Sequence, residues 1–215
     1  MKKNYKETIL SIDLMLFFIL TAIFAVIMIS PLIHHADVIK YRLDLVSGLD
    51  QETIAQNFDQ LANYLWLFHR EPLALTDFVM SDGGAIHFAE VKTLVDALQV
   101  LWLITGIAGF VGAGKKIKKR EIQFVKQTAL LMILVPLTIG LVASVNFDQA
   151  FVTFHHIFFH NDYWIFNAVT DPVILILPEQ FFMHCFFAIV IAVLIFAGIL
   201  YGWYYYQMSK EKRVL

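Results

Sequence analysis

Four uninterrupted apolar runs, separated by polar stretches of very unequal length, set the pattern of this chain. They cover residues 14–33, 97–114, 128–145 and 182–206. A hydrocarbon core takes roughly 20 apolar residues in helical form, so each run is long enough to span a membrane. The first follows Lys2, Lys3 and Lys6, as in a signal peptide. Its apolar part exceeds the roughly 7–15 residues of a signal core, and no small-residue cleavage pattern follows. It is expected to be a retained anchor, with Asp13 at its edge as a helix-start or interfacial residue. The second run carries Gly106, Gly109, Gly112 and Gly114. No strand precedes them and no GK[ST] follows, so they do not read as a phosphate loop. Small residues three or four apart instead let helices approach closely in lipid. Pro136 interrupts the third run and predicts a kink. The fourth closes on Trp203, Tyr204, Tyr205 and Tyr206, an interfacial aromatic belt.

Two long segments lie between the runs, residues 34–93 and 146–181. Within the first, Ile54, Phe58, Leu61, Leu65 and Phe68 recur every three or four positions. That spacing predicts an amphipathic helix over 50–68, capped by Asp50 or Gln51. A second helix is expected from Asp82 through Glu90 into the second span. In the other segment, the apolar stretch fenced by Pro172 and Pro178 is too short to span. It is expected at the interface, dipping into the membrane as part of a site, or as a plain connection. The fold class is therefore an all-α membrane protein with four transmembrane helices and two helical outward-facing segments. No repeat or linker divides it, so residues 1–215 read as a single integral membrane domain.

Composition agrees: 59% of residues are hydrophobic and 16% charged, with a mean hydropathy of +0.68. Soluble domains average about 45–50% apolar and about 25% charged. The net charge of −2 says little, but its distribution orients the chain. Residues 115–126 hold six Lys or Arg, and both ends are basic. With four spans these three clusters share one side, which the positive-inside rule assigns to the cytoplasm. Residues 34–93 hold nine Asp or Glu against four Lys or Arg, and residues 146–181 hold no Lys or Arg. Both segments then face outward. Cys185 is the single cysteine, so a disulfide framework and a four-cysteine zinc site are excluded. No basic patch or nucleotide motif points to nucleic acid or nucleotides.

Seven of the eight histidines fall in the outward segments, and His184 begins the fourth span. Imidazole titrates near neutrality and passes protons in either direction. His155, His156 and His160 sit with Asn161 and Asp162 among Phe154, Phe158, Phe159, Tyr163 and Trp164. If 151–160 is helical, His156 and His160 share a face at i, i+4, and His155 points about 100° away from His156. That spacing suits two metal ligands, although Ile157 stands where H-E-x-x-H carries its glutamate. One reading is therefore a metal-dependent membrane hydrolase using His156 and His160. Another is a non-catalytic outer-face sensor or partner protein. His87, ten residues before the second span, taken alone reads as a solvated surface histidine. Glu90 and Asp96 near it would orient a ring or solvate a helix start.

Three stretches taken together change the balance. HFAEVK at 87–92, FHHIFF-x-NDYW-x-FN at 154–167 and DP-x5-PE-x-FF at 171–182 stand in this order around the spans. They resemble a family of integral membrane proteins of Gram-positive bacteria that contains the lipoprotein intramolecular transacylase. The resemblance covers nearly the whole chain, and the histidine stretch is its most specific part. It implies transfer of the sn-2 acyl chain of a lipoprotein's diacylglyceryl group to the α-amine of the same N-terminal cysteine, giving the lyso form. It implies His87 and His155 as the functional pair, one from each outward segment. His156 and His160 are not carried over. Asn161, Asp162, Trp164, Glu90, Asp171 and Glu179 are then expected to bind substrate, hold the oxyanion or orient the pair. No metal, cofactor or covalent acyl-enzyme is expected. The partners would be a diacylated lipoprotein N-terminus and membrane lipid, met at the outer face of a bacterial cell membrane with both termini cytoplasmic.

Overall fold

The computed structural model describes residues 5–66 and 69–214, with side chains to Lys210. Lys2, Lys3 and Phe68, and the side chains of Lys212 and Arg213 in the basic C-terminal end, lie outside the described residues. The helices are α1 (Tyr5–Tyr41), α2 (Leu43–Ser47), α3 (Gln51–Tyr64), α4 (Asp82–Lys118), α5 (Gln123–Val145), α6 (Phe147–Phe158) and α7 (Glu179–Val214). A 3-10 helix, Pro172–Ile176, precedes α7. No strand occurs among the described residues. Helices α1, α4, α5 and α7 are long and apolar enough to cross a membrane, and they contain the four apolar runs.

All four begin at or before their runs, and this revises one expectation. Asp13 lies about two turns inside α1 and not at a helix start. The helix expected from Asp82 into the second span is present as α4, which carries His87 and runs unbroken to Lys118. Pro136 is inside α5, which continues as helix on both sides of it. The amphipathic helix appears as α3, with the Asp50 side chain accepting from the Thr53 backbone N–H at 2.9 Å. It ends at Tyr64, short of the expected position. Gly48, with φ +74°, closes α2 in the left-handed conformation that glycine adopts without a Cβ penalty.

The chain forms two compact units. The described residues of one fall within Met1–Phe24, Val100–Val142 and Ala188–Leu215; those of the other within Ala25–Gln99 and Ala143–Phe187. In the first, a Cβ added at Gly106, Gly109 or Gly112 would lie 2.8 Å from Phe17, Leu14 and Leu10 respectively. The glycine stripe is thus a packing surface of α4 against α1, as small residues allow in lipid. Trp102 donates its indole N–H to Thr21 Oγ1 at 2.9 Å in the same contact. Ala22, Met132, Val193 and Ala197 form a buried cluster among α1, α5 and α7.

The second unit is built around Val38, Ile54, Phe58, Phe88, Val173, Ile176 and Phe181. Burying side chains of this size contributes about 1.5–3 kcal/mol each, as an upper estimate. His34 sits in this core, 1% exposed, with its ring 3.9 Å from that of Phe58 and nearly parallel to it. Its Nε2 lies 2.7 Å from the Ile176 carbonyl, which accepts the Nε2–H. The proline-fenced stretch is therefore a pinned element of the core, with Val173 and Ile176 buried. Asn57, also fully buried, holds the connection after α3 by donating to Asp77 Oδ2 at 2.7 Å.

Candidate active site

In the second unit, α4 and α6 each bring one histidine to a common point. His87 and His155 have ring centroids 5.8 Å apart and are 6% and 7% exposed. His87 is thus buried, where its position in the sequence suggested a solvated ring. Its burial comes from residues distant in sequence: Phe159 at 4.8 Å and Phe166 at 5.5 Å, both edge-on. His87 Nδ1 is enclosed without a hydrogen-bond partner among the described residues. A buried polar nitrogen left unpaired costs free energy comparable to a lost hydrogen bond. Such an atom is where a reacting group is to be expected.

His155 is held more tightly. Its Nδ1 donates to the Phe151 carbonyl at 2.8 Å, one helical turn back, which leaves Nε2 as the free nitrogen. Its ring stacks on the Trp164 indole, centroids 4.7 Å apart at 30°. Burial pushes the His155 imidazole below its ordinary value near 6.5; the bond to Phe151 pulls the other way, and a charged His156 would lower it further. A neutral ring is therefore favoured near neutrality.

The expected supporting residues divide by contact. Asn161 donates its amide to Glu90 Oε1 at 2.8 Å, joining the histidine segment to α4 one turn beyond His87. Trp164 commits its single N–H to the Asn161 carbonyl at 3.0 Å, so it serves His155 as a stacking floor and not as a donor. Asp171, 3% exposed, accepts from the Ser81 N–H at 2.8 Å, the Ser81 hydroxyl at 2.9 Å and Thr170 at 2.7 Å. Burial would raise its carboxyl, but these hydrogen bonds outweigh burial and hold it below the usual carboxylate range. Ser81 in turn caps α4 through the Gly84 N–H. Asp171 is thus a staple at the start of the helix that carries His87. Asp162 and Glu179 are exposed, the latter in the first turn of α7.

The shared face proposed for His156 and His160 does not form. Helix α6 ends at Phe158, and Phe159 is extended at φ −119° and ψ 129°, so His160 lies beyond the helix. The extended residue turns Phe159 inward against both rings of the pair. His156 and His160 are exposed, and His156 meets Trp164 edge-on. Among the described residues, no three His, Cys, Asp or Glu side chains gather as a metal-ligand set. Two structural residues escaped the sequence reading, Ser81 and Gly84; an N-cap serine before Asp82 was the available signal.

The described residues thus define an integral-membrane helical protein with a buried histidine pair, its single cysteine lying elsewhere. The model of the family "Lipoprotein intramolecular transacylase Lit" matches residues 8–182, and the chain belongs to that family. Solved structures agree. The lipoprotein intramolecular transacylase Lit from Bacillus cereus superposes with a TM-score of 0.94 at 29% identity, covering 97% of each chain. A structure of that protein carrying a histidine-to-alanine mutation gives a TM-score of 0.88 at 29% identity, over 97% of this chain and 94% of that one. A histidine-to-arginine form gives 0.85 at 26% identity, over 99% and 96%. No curated protein matches the chain significantly. The activity of the family is intramolecular acyl transfer on lipoproteins.

Proposed function

We propose that His87 and His155 are the acid–base pair of this transfer. The reaction moves the sn-2 acyl chain of the diacylglyceryl group to the α-amine of the same N-terminal cysteine. The observation that carries the reading is the enclosure of two imidazoles from separate elements, 5.8 Å apart, in an aromatic pocket. An α-amine ionises near 7.7–8.0, so part of it is already neutral near neutral pH. Burial, and then the neighbouring His155, push the His87 imidazole down to about 4, which keeps that ring neutral and able to accept a proton as attack proceeds. The free amine attacks the ester carbon through a ring of N, Cα, Cβ, S, two glycerol carbons, the ester oxygen and the acyl carbon. The C–N bond forms, the carbonyl becomes an oxyanion, and the bond to the glycerol oxygen then breaks as that oxygen takes a proton. Holding the ring closed is a positioning problem, and orientation supplies several kcal/mol.

His87, with its unpartnered Nδ1, is assigned as the base. His155, fixed by Phe151 and Trp164, protonates the leaving oxygen or stabilises the oxyanion; the second amide hydrogen of Asn161 is a further donor. Counted from the ammonium, the nitrogen loses two protons, one before attack and one after the C–N bond forms. The glycerol oxygen takes up one and the other is released to solvent, so the neighbouring rings end the turnover as they began. The nucleophile belongs to the substrate, and no acyl-enzyme forms. The chain works as one integral membrane domain. The pair lies at the outer face of a bacterial cell membrane with both termini cytoplasmic, as the basic clusters support, and meets membrane lipid there. A crossover experiment tests this. Two diacylated lipopeptides, differing in both acyl chains and peptide mass, are incubated together with the purified protein. Lyso products that keep their own acyl chain are expected; mixed products would overturn the intramolecular reading.

A further inference from the structure

We infer that Glu90 binds the substrate's α-amino group beside His87 and aims the nitrogen lone pair at the ester. The inference rests on the acyl transfer proposed above and gives that site a recognition residue for the free N-terminus. Among the described residues, three side-chain polar atoms are enclosed without a hydrogen-bond partner, and two of them are His87 Nδ1 and Glu90 Oε2. The two residues are three apart on α4, so they lie on one face of it. The carboxylate is held at its other oxygen. Asn161 Oδ1 accepts from the Tyr163 N–H at 3.0 Å, which leaves the amide nitrogen for Glu90, and that nitrogen donates to Oε1 at 2.8 Å. The nearest lysine along the chain, Lys92, is committed to Asp96 at 2.5 Å and to the Trp66 carbonyl at 2.8 Å. Oε2 is thus positioned but lacks a donor among the described residues.

The substrate supplies that donor. In the ring that closes during transfer, the thioether and the ester oxygens carry no hydrogen. The α-amine alone offers N–H, whether it is charged or neutral, and the peptide N–H groups lie outside the ring. An enclosed oxygen left unpaired costs free energy that this contact removes. Once neutral, the amine keeps two N–H bonds. With one on Glu90 Oε2 and the other on His87 Nδ1, the bond to Cα takes a third tetrahedral direction and the lone pair the remaining one. Both contacts together therefore fix where the lone pair points, which is the orientation that ring closure demands. After the C–N bond forms, the N–H on His87 passes its proton to Nδ1, and the N–H on Glu90 stays in the product amide. Glu90 exchanges no proton. An N-acylated terminus has a single N–H and cannot satisfy both atoms, so the site selects a free amine.

A probe that cannot react tests this. It is a lipopeptide with an ester at sn-1 and an ether in place of the sn-2 ester, made either with its α-amine or with hydrogen in the amine's place. Calorimetry at about pH 6, where the amine is almost fully protonated, measures binding of each to the full chain in detergent. The parent should bind the amine form about tenfold more tightly, the equivalent of one hydrogen bond to a charged group. Glu90→Gln keeps an oxygen for Asn161, so it should bind the amine-free probe as the parent does and lose the preference for the amine. Equal binding of both probes by the parent, an undiminished preference in Glu90→Gln, or equal weakening of both probes by that change would overturn the proposal. No acyl group moves in this measurement, so it is independent of whether His87 and His155 act as base and acid.

Discussion

Replacing Gly84 by alanine probes how the start of α4, and with it His87, is held. A Cβ at this position would lie 2.2 Å from Asp171 Oδ1 and 3.1 Å from its Cγ. The carboxylate cannot stay, and it cannot leave without breaking its 2.8 Å bond from the Ser81 N–H and straining the 2.9 Å bond from the Ser81 hydroxyl. Hydrogen bonds to charged groups contribute about 1.5–3 kcal/mol each. Alanine returns up to about 1 kcal/mol of helix propensity. The expected net loss is about 1–4 kcal/mol. In an Asp171→Ala background the close neighbour left is Met80 Cγ at 3.2 Å, on a flexible side chain that can give by a few tenths of an ångström, so Gly84→Ala should be neutral or stabilising by up to about 1 kcal/mol. The cycle should give a coupling energy of about 1–5 kcal/mol between the two positions. Unfolding by SDS titration in mixed micelles measures all four corners. An equal cost of Gly84→Ala in both backgrounds would refute the staple.

His156→Ala combined with His160→Ala should leave most acyl transfer intact, and loss of all activity together with bound zinc would favour a hydrolase. Acidification should expose the burial of His155. Its folded value lies below 6.5, so above 6.5 both states are neutral and the full stability is present; as pH falls, the unfolded chain takes up the proton first and stability declines until the folded value is passed. Melting temperatures between pH 7 and 5 should therefore fall less in His155→Gln than in the parent, and parallel curves would contradict this. For orientation, a cysteine replacing Lys118 should resist an impermeant thiol reagent in intact cells while one replacing Asp59 reacts. The opposite pattern would overturn the outward placement of the histidines.

Local patterns carried much of the fold. The four apolar runs, the glycine stripe and the Asp50 cap are read within a few turns of chain, and each appears in the structure. The candidate site was legible only in part. Helical spacing favoured His156 and His160, because nothing local marks Phe159 as the residue where the backbone leaves the helix. What sets that boundary is the seat Phe159 finds against His87, on a different helix. The burial of His87 was invisible for the same reason: its walls, Phe159 and Phe166, lie more than seventy residues along the chain. The contacts from Glu90 to Asn161 and from Ser81 to Asp171 join positions 71 and 90 residues apart. Sequence periodicity reports which face of an element is apolar, but it does not report which element will cover it.

The histidine pair itself is tested most directly by mass spectrometry of lipoprotein N-termini from cells producing the parent protein, His87→Gln or His155→Gln. Glutamine keeps hydrogen-bonding capacity but does not titrate near neutrality, so the change removes proton transfer and little else. General acid–base catalysis typically contributes about 10²–10⁴-fold, and each variant should lose lyso-form lipoprotein by that order while remaining folded in the membrane. The double variant should lose little more than either single one, because the two rings act on one reaction. Near-parental lyso-lipoprotein in either single variant would contradict the assignment of that histidine, and in both would contradict the account of the pair.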